Sequence, residues 1–314
     1  MEENALDYRS ILEKCGVDRD SAQHVIKNIA NLEEFYDSAD LVRIYNYCLL
    51  NIKNPTVLMQ VIKYTDAYRS ASTLSILLDI LLLKVGADSI DSENLVNIRV
   101  LAAKAIANYK DNSTLGTLLY CLNNKSEHYK VRLACADALG RIGDKYAVPS
   151  LIDVVEDENE KSVYLKESVT FALGMIGDTS AIDPLISILE SKQGFLDKFT
   201  FLKEKIVEAL GKLNINNKKV IKALKRSLMD SSPIVRINAI EAIMNSSDEN
   251  AYEIIKPSLF DEDDEVKKNA LIALYNLRGK EVLDEVINSK EYCQLLKDEA
   301  QEIYTDYEDY EDFE

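Results

Sequence analysis

At 314 residues, with 47% apolar and 29% charged side chains, the chain carries enough hydrophobic material for a continuous core, which excludes disorder over most of its length. Its net charge of −17 opposes nucleic acid and anionic membrane, both polyanions whose recognition needs clustered Lys and Arg. Only two histidines, His24 and His128, occur, without an H-E-x-x-H, a Cys/His cluster or a G-x-S-x-G, so no catalytic residue, metal or cofactor is assigned.

Five Pro and ten Gly leave few breakers, and alternating β-branched runs are scarce, so the composition favours helices. The cysteines Cys15, Cys48, Cys121, Cys135 and Cys293 are odd in number and far apart, as expected of reduced thiols. The start MEENALDYRS lacks a signal peptide's basic and apolar regions, and the most apolar run, 76–85, contains Asp79 and Lys84. A cytoplasmic location is expected.

In chain order, residues 1–95 come first, helical but only loosely patterned. Val42-Arg43 with Leu49-Leu50, and Tyr68-Arg69 with Ser75-Ile76, are compatible with eroded copies of the repeat that begins at residue 96. Two readings stand for this part: a diverged cap of helical repeats, or a separate small helical module.

Residues 96–297 form the repeat array. A basic residue recurs at Arg99, Arg132, Lys166, Lys203, Arg236 and Lys267, at spacings of 33, 34, 37, 33 and 31 residues. An aliphatic residue precedes each one. Six positions later stands Ala105, Ala138, Ala172, Ala209, Ala242 or Ala273, and the seventh position is always Leu or Ile. These offsets share one face of a helix A, and the invariant small residue predicts a neighbouring backbone too close for a larger side chain. A second apolar set comes after a short turn, for instance Val148, Leu151, Ile152 and Val155, and predicts a helix B. Gly143 and Gly177 suit the residue that closes helix A, and Pro149 and Pro184 the opening turn of helix B.

The segments LGRIGDKYAVPSLI and LGMIGDTSAIDPLI resemble the HEAT-like repeat family of the phycobilisome-lyase type, over about residues 96–290. The resemblance implies an all-α, right-handed α-solenoid (superhelix) of about eight HEAT-like helical pairs. It implies little about function, since such scaffolds include lyases, hydroxylases and adaptors. The hydroxylases' His-Glu pairs have no counterpart here, because no His is followed by Glu. The resemblance also implies that the basic column bonds to turn acids, here Asp111, Asp144 and Asp178, while Asn214 leaves Lys203 without its local counterpart. Glu127-His128 reads as a surface or capping pair, L-G-x-I-G-D as a structural turn, and the acids 261–265 as a helix start.

Three features depart from the average composition. Residues 198–226 hold nine basic residues against two acids, and Lys218, Lys219, Lys222, Lys225 and Arg226 fall on one helix B as a candidate docking site for an acidic segment. The preceding link carries Phe195, Phe199 and Phe201, read as core or as an interaction edge. The tail 298–314, with nine acids and none of the opposite charge, is expected to be disordered and either to solubilise or to dock on the basic helix.

The resulting expectation is a non-catalytic protein–protein interaction scaffold, an adaptor or assembly factor holding a protein partner on its concave face. The partner is expected to present an acidic segment, with no nucleic acid and no membrane involved. A bilin lyase or lyase-like tetrapyrrole handler is the enzymatic alternative, by resemblance alone. A HEAT-like DNA glycosylase is a second, which the acidic balance and the absence of Trp oppose.

Overall fold

The computed structural model describes residues 6–83, 92–190, 200–213, 217–246 and 248–311, the last six as backbone alone. Every regular element among them is helical. The chain divides into two compact units, Met1–Val154 and Val155–Glu314.

The first unit contains α1 (Tyr8–Lys14), α2 (Ala22–Ala30), α3 (Ser38–Asn51), α4 (Pro55–Tyr64), α5 (Ala71–Leu81), α6 (Ser92–Ala107), α7 (Leu115–Asn123) and α8 (Tyr129–Ile142). The division falls within α9 (Val148–Glu156). One layer is formed by α2 against α4, α4 against α6 and α6 against α8, and a second by α1 against α3 and α3 against α5. Consecutive helices close the two layers on each other, as α5 does on α6 and α7 on α8.

The second unit repeats the plan. It holds α10 (Val163–Ile176), α11 (Ile182–Leu189), α12 (Thr200–Leu213), α13 (Lys218–Ser227), α14 (Pro233–Met244), α15 (Ala251–Ile255), α16 (Asp264–Arg278), α17 (Lys280–Asn288) and α18 (Gln294–Glu311). Here α10, α12, α14, α16 and α18 pack in succession, and α11, α13, α15 and α17 form the other layer. Joining each first-layer helix to the next in the chain, from α2–α3 to α16–α17, yields eight pairs among the described residues. The protein is an all-α solenoid.

The alanine column is buried throughout, and the glycines on the preceding helix explain its size. A Cβ on Gly174 of α10 would stand 3.2 Å from the Ala209 Cα of α12, and one on Gly211 of α12 would stand 2.8 Å from the Ala242 Cβ of α14. In the second unit α10 and α12, and α12 and α14, therefore meet backbone to backbone at one register, two residues beyond one alanine against the next. Gly143 and Gly177 close α8 and α10 at φ +79° and +74°, conformations that side chains rarely adopt.

The basic column is also ordered, but its partners differ from those expected. Most of its members reach back to the end of the preceding second-layer helix or forward to the loop before the next first-layer helix. Arg99 Nε donates to the Leu81 carbonyl at 2.8 Å, Arg132 Nε to Leu122 at 2.8 Å and Lys166 Nζ to Val155 at 2.9 Å. Those carbonyls sit at the negative ends of helix dipoles, where a cation is favoured. The carboxylates reached are Glu127 from Arg99, Asp230 from Lys203 at 3.1 Å, and Asp261 from Arg236 at 2.7 Å. Lys267 bonds instead within its own helix, to Asp264.

Asp111, Asp144 and Asp178 accept backbone N–H bonds from Ser113, Tyr146 and Ser180 at 2.8 to 2.9 Å, capping one-turn 3-10 helices. A short carboxylate two residues before a free N–H finds that donor first, whereas the column's guanidiniums and ammoniums lie toward the opposite loops. His128 caps α8, its Nδ1 accepting from the Lys130 N–H at 3.2 Å.

Of the acidic tail 298–314, residues 312–314 lie outside the described residues. It continues as helix to Glu311, because Leu296 and Ala300 are buried against α16 and α17 while Glu299 pairs with Lys268 at 2.8 Å. Two apolar residues four apart suffice to anchor the stretch despite its acidity. Tyr304 lies beneath Lys280 Nζ of α17, 5.4 Å from its ring centre, and not against α13.

One acid of the first layer is under electrostatic strain. Glu204 on α12 is buried, and its pKa is raised first by burial and then by Glu167 on α10, with Lys205 acting in the opposite sense. A carboxyl whose folded pKa lies above its unfolded value favours folding below the ordinary carboxylate range, and that contribution is lost as pH rises through the folded value. Glu204→Gln should therefore raise the urea midpoint at neutral pH and flatten its dependence on pH above the ordinary carboxylate range. Parallel pH profiles for the two proteins would refute it.

Candidate functional site

The described part of the stretch with the strongest positive charge lies on α12 and α13, and its cations do not share one fate. Lys203 belongs to the basic column, bonded to Asp230. Lys205 and Lys212 both clasp Glu208, at 2.8 and 2.6 Å, and both lie over the Phe171 ring of α10. Burial alone would raise the Glu208 pKa, yet the bonds from these two ammoniums hold it below the usual range.

Along α13 the helical period sorts the remaining cations into two rows. The helix starts at Asn217, whose side chain accepts the Lys219 N–H at 2.9 Å, and Val220, Ile221, Ala223 and Leu224 fasten it to the core. Lys219 and Arg226, seven residues apart, turn toward α11, where Lys219 Nζ bonds both oxygens of Asp183 at 2.8 Å and Arg226 pairs with Glu190. Lys218, Lys222 and Lys225 turn the other way. They are exposed and have no ionic partner among the described residues. Lys198 lies outside the described residues, as do Phe195 and Phe199, whereas Phe201 opens α12 with its ring exposed.

Lys218, Lys222 and Lys225 form one wall of an open cleft of about 540 Å³ in the second layer. Ile221 and Ile254 lie at its base, and Asp248, Asn250 and Glu253 line the side next to α15. The three ammoniums at i, i+4 and i+7 cover about 10 Å of helix, at 1.5 Å per residue. Chemically the wall offers three ammonium donors beside apolar carbon, with opposite charge across the cleft. Among the described residues no group of three or more His, Cys, Asp or Glu is placed to hold a metal ion. No described helix is long and apolar enough to cross a membrane.

The sequence identifies α13 but not the division of its charges, since Asp183 and Glu190 lie 36 residues before their partners. It also misses Glu127, whose place in the loop before α8 suggests a surface residue and which is a nearly buried partner of Arg99.

The two-layer stack, the small-residue contacts and the column of buried cations define a class, the helical repeat scaffolds. A family description, HEAT repeats, matches residues 89–165, 125–201 and 197–275, which together cover more than half of the chain. The protein belongs to the HEAT-repeat family. No curated protein matches it. Among solved structures, the Escherichia coli protein YibA is similar with a TM-score of 0.51 at 13% identity, covering 96% of this chain and 98% of that one. The complex of CpcE and CpcF of phycocyanin lyase from Nostoc sp. PCC7120 has a TM-score of 0.46 at 22% identity, with 69% and 81% covered. Human deoxyhypusine hydroxylase has a TM-score of 0.38 at 15% identity, with 86% and 97% covered. At these identities the likeness speaks for the fold alone.

Proposed function

We propose that this protein is a non-catalytic scaffold, an adaptor or assembly factor, which holds a protein partner by docking an acidic segment of it against α13. One observation carries the reading: of all the cations in the basic stretch, Lys218, Lys222 and Lys225 are the described ones that stay exposed and without an acid, and they stand together on a cleft wall. Cations that serve the fold find carboxylates, as Lys203, Lys205, Lys212, Lys219 and Arg226 do. A row left over beside apolar carbon is suited to an incoming carboxylate chain, which the charge steers and the isoleucines retain. Four buried free thiols fit a reducing compartment such as the cytoplasm.

The test uses a fluorescent peptide of the acidic-aromatic sequence YTDYEDYEDFE as probe. The full chain should bind it at about 0.01 M salt and lose it at about 1 M, where the screening length falls from ~30 to ~3 Å. Changing Lys218, Lys222 and Lys225 to Gln should weaken the low-salt complex at least tenfold. Equal binding by that variant would remove α13 as the docking helix.

A further inference from the structure

The first-layer helices of the second unit carry a feature that the basic cleft does not use. Two positions before the basic column, at the second residue of each helix, stand Tyr164 on α10, Phe201 on α12 and Ile234 on α14. They are exposed to 71%, 68% and 50%. A residue two before a buried one points some 200° away around the helix, so these three face outward while Lys166, Lys203 and Arg236 face in. The glycine–alanine contacts hold adjacent helices in one register, and packed helix axes lie about 8–10 Å apart, so the three side chains form a row with that spacing.

Met229, exposed to 86%, adds to the same edge. It stands on the loop just before α14, at the end of the layer where Ile234 lies and where the neighbouring Asp230 bonds Lys203 at 3.1 Å.

The charge around this row is opposite to that of the cleft. On α16 the corresponding position is Glu265, exposed, and Glu262 just before the helix has its side chain 89% accessible. At the other end Glu158 is exposed on the loop leading into α10, with Lys161 offsetting part of its charge. The four apolar side chains present roughly 500 Å², counting 150–250 Å² for a large ring. An apolar strip of this size suits a single amphipathic segment, and the acids at its end favour a cationic one.

We infer that Tyr164, Phe201, Met229 and Ile234 form a second docking surface, which takes a cationic amphipathic segment of a partner protein. The segment's apolar side chains rest on the row and its Lys or Arg residues meet Glu262 and Glu265. The surface lies on the opposite layer from the α13 cleft. The scaffold thereby offers two sites of opposite charge preference, one for an acidic segment and one for a basic apolar one.

The probe is a fluorescent amphipathic peptide of Leu and Lys, compared with one of Leu and Glu of equal length. The full chain should bind the Leu–Lys peptide. Combined replacement Tyr164→Ser, Phe201→Ser and Ile234→Ser, at exposed positions that leave the core intact, should weaken it at least tenfold without altering net charge. The Lys218, Lys222 and Lys225 to Gln variant should bind it as the unmodified chain does, which separates this surface from the cleft. Equal binding by the serine variant would reduce the interaction to attraction by an acidic protein and overturn the inference. So would no binding of the Leu–Lys peptide, equal binding of the Leu–Glu peptide, or a dimer in sedimentation that the serine variant abolishes.

Discussion

Replacing Arg99 with Met is expected to destabilise the protein by about 3–5 kcal/mol, the cost of leaving one member of a buried ion pair alone. Arg99 and Glu127 have side chains only 6% and 12% accessible, and the guanidinium grips both carboxylate oxygens, one at 2.7 Å, while its Nε serves the Leu81 carbonyl. Removing it orphans Glu127 and a helix-end carbonyl together. Burial by itself pushes the Glu127 pKa up, but the Arg99 bond, the His128 backbone N–H and the Arg99 charge bring it below the ordinary range. A depressed carboxylate stabilises above its unfolded pKa, and that contribution is lost as pH falls through the folded value. In Arg99→Met the sign reverses, since burial without a cation raises the pKa, so the deficit should shrink in acid. Urea unfolding followed by circular dichroism reads both effects. A double variant, Arg99→Met with Glu127→Leu, should recover most of the loss; a double variant as unstable as the single one would show that the pair's geometry, and not its charge, is what counts.

Replacing Ala209 with Leu should cost roughly 3 kcal/mol, the upper end of the range for overpacking. The atom it meets is not a side chain that can swing aside. The Ala209 Cα already lies 3.2 Å from where a Cβ on Gly174 would be, so an enlarged side chain there must push α10 and α12 apart along their shared length. In a repeat array the loss is felt at both interfaces of the affected helix, because each repeat is stabilised chiefly by its neighbours. The comparison is Gly116→Ala on α7, where an added Cβ meets nothing within 4 Å and the urea midpoint should hold or rise slightly. If Ala209→Leu left the midpoint unchanged, the close contact between first-layer helices would not be a determinant of stability.

What was legible from the residues was whatever a single helix encodes. The columns led by Arg99 and Ala105 set which face of each first-layer helix is buried, because burial against the next helix selects side chains at a 3.6-residue period. Gly143 and Gly177 marked helix ends because their backbone conformation has a local signature. Family membership rests on these same local rules repeated.

The tertiary structure decided everything that depends on which loop comes near which helix. Arg99, Lys203 and Arg236 find their carboxylates 28, 27 and 25 residues ahead, on loops whose approach no single repeat specifies, while Asp111, Asp144 and Asp178 each cap a turn of their own backbone. The same reason split α13 into the satisfied Lys219 and Arg226 and the open Lys218, Lys222 and Lys225, since only stacking sets Asp183 and Glu190 beside one face. It turned an acidic tail into a helix through two buried residues, Leu296 and Ala300. Period tells a side chain which way to point, but charge compensation and exposure depend on what the neighbouring repeat places opposite, and that is settled only when the layers stack.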